Sequence, residues 1–104
     1  MLLSVKDRLI LLGTLANTQG NLTELRIIRE LREGLSFSEE EHAQLNIRTE
    51  GERMMWDDSA PPKEVEIGEV ARRIIVKRLR ELNSQGQLTD DHLDIIGQFP
   101  EVEA

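Results

Sequence analysis

Apolar side chains recur along the first third of the chain at spacings of three and four, the mark of helices that bury one face. Val5, Leu9, Leu12 and Ala16 share such a face, and Ile10 and Leu11 carry the apolar surface well round it. The spacing predicts a central helix over 4–15, ended by Thr18-Gln19-Gly20. Leu25, Ile28, Leu31 and Leu35 make a second stripe, broadened by Ile27, and leave Arg26, Arg29, Glu30, Arg32 and Glu33 mostly outside. Asn21 with Glu24 reads as a capping box, in which side chain and backbone satisfy each other's orphan groups. Gly34 stands where a C-cap is expected. Ser38 with Glu41 repeats the box and opens a short third helix to Leu45, whose early glutamates suit the positive end of the helix dipole.

The period then shortens. Asn46-Ile47-Arg48-Thr49 and Arg53-Met54-Met55-Trp56 flank Glu50-Gly51-Glu52, a hairpin in which Gly51 supplies the positive φ of a tight turn. Residues 57–63, with Pro61 and Pro62, read as an exposed connection. Lys63-Glu64-Val65-Glu66-Ile67 alternates, as a third strand or as the lead-in to a helix. The longest helix is expected over 68–85, with Val70, Ala71, Ile74, Ile75, Leu79 and Leu82 covering about half its circumference. A last helix reads from Leu88 to Gln98, with Thr89 as cap and Leu88 stapled onto Leu93. Pro100 stops it and leaves 100–104 as a loose acidic tail.

The 104 residues suffice for one domain and not two, so 1–104 is read as a single α+β domain. It is mainly helical, with about five helices and a small antiparallel hairpin. Helix, helix, short helix, hairpin is also the order of a winged-helix module. Its chemistry differs, because the third helix is Ser-Glu-Glu-Glu-His-Ala-Gln-Leu and the wing tip Glu-Gly-Glu, where a DNA reader carries basic or amide side chains.

Net charge is −7, which works against general affinity for nucleic acid or an anionic membrane. The absence of cysteine excludes disulfides, thiolate metal sites and cysteine nucleophiles. No apolar run approaches the roughly 18 residues of a spanning helix, and the first residues do not read as a signal peptide, so a cytoplasmic location is expected. Phosphate-cradling loops, a nucleophile elbow and His-Glu-x-x-His are missing. His42 has Glu39 one turn before it and His92 has Asp91 beside it, spacings common in so acidic a chain. No enzymatic activity, metal or cofactor is expected.

Three features bear on partners. Met54 and Trp56 share one face of the hairpin, either as an anchor for another protein or, for Trp56, as a cover over the edge of the core. Arg72, Arg73, Lys77, Arg78 and Arg80 concentrate on the fourth helix, as a nucleic-acid contact or as a solvated face balancing acidic residues in cis. Arg78 falls inside the apolar arc of that helix. It either lies over apolar neighbours by its stem or is partly buried against a carboxylate of the acidic 36–60 block.

The stretches VKDRLILLGTL, GNLTELRIIREL, LSFSEEEHAQLNI, EIGEVARRIIVKRL and QLTDDHLDII together resemble short uncharacterised proteins of the phage and prophage kind. The resemblance implies a structural component or a binder of host proteins and gives no residue a role. The leading expectation is thus a non-enzymatic, self-associating protein–protein interaction module, with Met54, Trp56, Arg72, Arg73, Lys77 and Arg78 as partner-binding candidates. The alternative is a winged-helix-like nucleic-acid binder using the basic helix 69–82.

Overall fold

A computed structural model describes residues 1–16, 18–57 and 61–103. Among these, five α-helices and two small antiparallel sheets make an α+β fold. Helix α1 (Val5–Leu15) is capped by Ser4, whose side chain accepts from Asp7 while Asp7 reaches back to the Ser4 backbone. Helix α2 (Leu22–Leu35) carries the same reciprocal box between Asn21 and Glu24, and α3 (Glu39–Leu45) between Ser38 and Glu41. The C-cap of α2 is Ser36, not Gly34: the helix runs through the glycine, because Leu35 is fully buried and draws the last turn into the core.

Asn46 ends α3 in the left-handed conformation, and the described strands form two separate pairs. Strands β2 (Arg48–Glu50) and β3 (Arg53–Met55) form the hairpin. Gly51, at φ 63°, opens its two-residue turn, where a side chain would be strained. The alternating stretch at 63–67 resolves into both of its readings. Its start, β4 (Lys63–Glu64), pairs with β1 (Leu2–Leu3), and its end leads into α4 (Glu69–Ser84). The Val65 N–H extends this ladder to the Met1 carbonyl, which turns Leu3 and Val65 into the core. Of the expected loop, 58–60 lies outside the described residues, while Asp57, Pro61, Pro62 and Lys63 are exposed.

Helix α1 lies against α2, α4, β1 and the short α5 (His92–Ile96), as its broad apolar surface predicts. Helix α4 (Glu69–Ser84) supplies Ala71, Ile74, Ile75, Leu79 and Leu82 to the core. Val70 falls out of the expected arc and is half exposed. Val76, on the opposite side of that wheel, is buried instead.

The C-terminal part departs furthest from expectation. Helix α5 covers only His92–Ile96. Thr89 does not cap it; the Thr89 N–H donates to Nδ1 of His92 at 2.9 Å, which holds that segment in a turn before the helix starts. No staple forms, since Leu93 is 64% exposed and Leu88 packs on the core by itself. The tail is not loose at 100–103: Pro100–Glu103 is a 3-10 helix seated on α4. Buried Phe99 and Val102 anchor it, and it is this segment that covers Val76.

Candidate interaction surfaces

Among the described residues the most buried charge is Arg8, 2% exposed on α1. Its Nε donates to the Leu35 carbonyl at 3.1 Å and Nη2 to the Ser36 carbonyl at 2.7 Å, two acceptors that the end of α2 leaves unpaired. Nη1 donates to Glu41 Oε2 at 2.6 Å, and the guanidinium carbon lies 3.9 Å from the Phe37 ring centre. One side chain therefore ties the end of α2 to the first turn of α3. The Glu41 carboxyl is held down to about 2, chiefly by the hydrogen bond from Arg8, with a further bond from the Ser38 N–H. This is the arginine–carboxylate pair with the 36–60 block that the sequence suggested for Arg78. The available signal was a charge set on the most apolar helix of the chain, one turn before Leu11 and Leu12.

Arg78 itself pairs elsewhere. Its Nε donates to the Thr14 carbonyl at 3.3 Å and its Nη1 lies 3.4 Å from Glu81 on the same helix. Its side chain is 27% exposed, and Leu9, Ile10 and Leu82 line the same depression on the surface. The remaining basic residues of α4 do not form one open surface. Arg72 donates to Glu101 at 2.8 Å through Nη2, which also reaches the Gln98 carbonyl, and it stacks on Phe99. Arg80 donates to the Glu101 carbonyl, and Arg73 pairs with Glu69. Lys77 is exposed and has no salt bridge or hydrogen bond among the described residues. Glu101 is held down to about 2, mainly by the Arg72 hydrogen bond.

The hairpin is the opposite case. It makes no extensive contact with any other described element. Met54 is 46% and Met55 37% exposed, and Trp56, just beyond β3, is half buried and outside the main core cluster. Met54 stands opposite Thr49, and Met55 opposite Arg48 on the other face. The acidic third helix leaves Glu39, Glu40, Ala43 and Gln44 exposed beside it in sequence.

Among the described residues neither histidine forms a salt bridge with a carboxylate. His42 meets Phe37 edge-on at 6.0 Å, His92 accepts from Thr89, and no cluster of three metal-ligating side chains occurs among the described residues. Nor is any described helix long and apolar enough to cross a membrane. No protein-family model, curated protein or solved structure matches this chain.

Proposed function

We propose that this chain is a non-enzymatic protein–protein interaction module that docks through the β2–β3 hairpin. One observation carries the reading. A ribbon with few contacts to the other described elements places two methionines where solvent reaches them, with a half-buried tryptophan beside them, and apolar side chains so placed favour a partner's surface over water. Methionine adapts its shape to the surface it meets, and tryptophan is frequent among the residues that dominate binding energy. The basic helix supports the same reading indirectly. Arg72, Arg73, Arg78 and Arg80 each hold a carboxylate or carbonyl of this chain, so a phosphate backbone would have to displace contacts already made. The resemblance to phage-type proteins extends the proposal to a partner of host origin.

The test is capture from a host-type lysate on immobilised protein, with and without nuclease, comparing the natural chain with a Met54→Asp/Met55→Asp variant. A stoichiometric protein retained through nuclease and lost with the variant supports the reading. Capture that disappears with nuclease overturns it in favour of nucleic-acid binding through helix 69–82. Capture unaffected by the variant removes the hairpin from the interface.

A further inference from the structure

We infer, resting on that reading of the hairpin, that a second copy of this chain pairs along β2, antiparallel about a two-fold axis through Thr49. The two-residue turn makes Glu50 and Arg53 the closing pair that exchanges both backbone hydrogen bonds. Alternation then directs the N–H and C=O of Arg48 and Glu50 inward to β3 and those of Thr49 outward. Thr49 is exposed, and neither its N–H nor its C=O meets a partner beyond the hairpin among the described residues. This is an open strand edge, which invites another strand unless something guards it.

Edge strands are commonly guarded by charge, and a guard of one sign repels its own symmetry copy. Here the edge reads Arg-Thr-Glu. Rotation about Thr49 sets Arg48 opposite the second copy's Glu50 and Glu50 opposite the second copy's Arg48, so the sequence is its own complement. Arg48 already lies 3.1 Å from Glu50 within the strand. In the pair the four charges therefore alternate in sign along one face. On the other face the hairpin places Met54 opposite Thr49. The two-fold then lines up Met54, Thr49 and the second copy's Thr49 and Met54 in one row, on the face shared by Ile47 and Trp56. The β3 edge has no such complement, because pairing about Met54 sets Arg53 against the second copy's Met55. A two-stranded ribbon is marginal alone, and four strands with an apolar face are not.

The experiment is solution mass by light scattering and sedimentation across sub-millimolar concentrations, on the full chain. The natural protein is expected to show concentration-dependent dimer mass. Thr49→Pro removes only an outward-facing N–H and is expected to give a monomer with an unchanged circular dichroism spectrum. Arg48→Glu and Glu50→Arg each convert two attractive pairs into repulsive ones and are expected to weaken the dimer by about tenfold or more. Mixed in equal amounts, these two variants restore complementarity and are expected to recover dimer mass, which a merely unfolded hairpin would not do. A monomeric natural chain, dimers that survive either charge reversal, or a mixture that stays monomeric overturns the pairing. If the natural chain is monomeric yet captures a protein dependent on Met54 and Met55, the pairing fails and the interaction-module reading stands. A dimer that captures nothing supports the pairing and removes the foreign partner.

Discussion

Arg8 and Arg72 solve the same local problem in two parts of the molecule. Each donates to a backbone carbonyl where a helix has just ended, each lies over the phenylalanine that follows, and each reaches a glutamate in the next helical turn. What separates them is water. The side chains of the first pair are 3% and 25% exposed, and those of the second 32% and 42%. A buried guanidinium has lost its hydration and depends on every bond it makes, whereas a half-exposed one can turn to solvent when a bond is lost. The same motif is therefore a requirement of the fold at α2–α3 and an adjustment at the C-terminal segment.

Removing the buried arginine is expected to break that comparison most forcefully. Arg8→Ala takes the guanidinium from the Glu41 carboxylate, leaves two helix-end carbonyls without their donor and is expected to cost about 3–5 kcal/mol, a large part of the stability of so small a domain. Chemical denaturation against the natural chain measures it, and a loss below about 1 kcal/mol would show that water replaces the guanidinium freely.

Acid sharpens the comparison next. Glu41 has its carboxyl lowered from 4.5 to about 2 in the folded chain, so its contribution is complete above about 4.5 and disappears as pH falls toward 2. The shift corresponds to about 3 kcal/mol as an upper bound. Stability followed from neutral pH down through that window is expected to fall in the natural chain and far less in Glu41→Gln, which starts lower. An unchanged acid profile in Glu41→Gln would remove Glu41 as the source.

The smallest effect belongs to the exposed pair. Arg72→Ala is expected to cost about 1 kcal/mol, for a partly solvated ion pair and some stacking on Phe99. Its clearer signature is local: faster amide exchange at Phe99 and Val102 with the rest of the core still protected. Global unfolding equal to that of Arg8→Ala would erase the distinction between the two pairs.

Much of the local architecture is legible in the chain itself. Asn21–Glu24 and Ser38–Glu41 announce helix starts because a capping box needs only residues three apart, and Gly51 announces the turn because few other residues adopt its φ. Met54 and Trp56 are readable as an unusual apolar pair on a short ribbon for the same reason. Thr89 misleads because its hydroxyl lies 3.0 Å from Nδ1 of His92 and accepts from no backbone N–H of the helix start.

What the sequence determined, then, was the set of elements and the faces they present, since periodicity, caps and turns are decided within a few residues. Tertiary structure alone decided that Arg8 rather than Arg78 is the buried arginine, that β1 meets β4, and that Val76 is covered. Each of those depends on which distant segment arrives: the end of α2 over Arg8, residues 63–64 beside residues 2–3, and the Phe99–Val102 turn over Val76. Burial is a property of the assembled surface, and no local pattern contains the partner that removes the water.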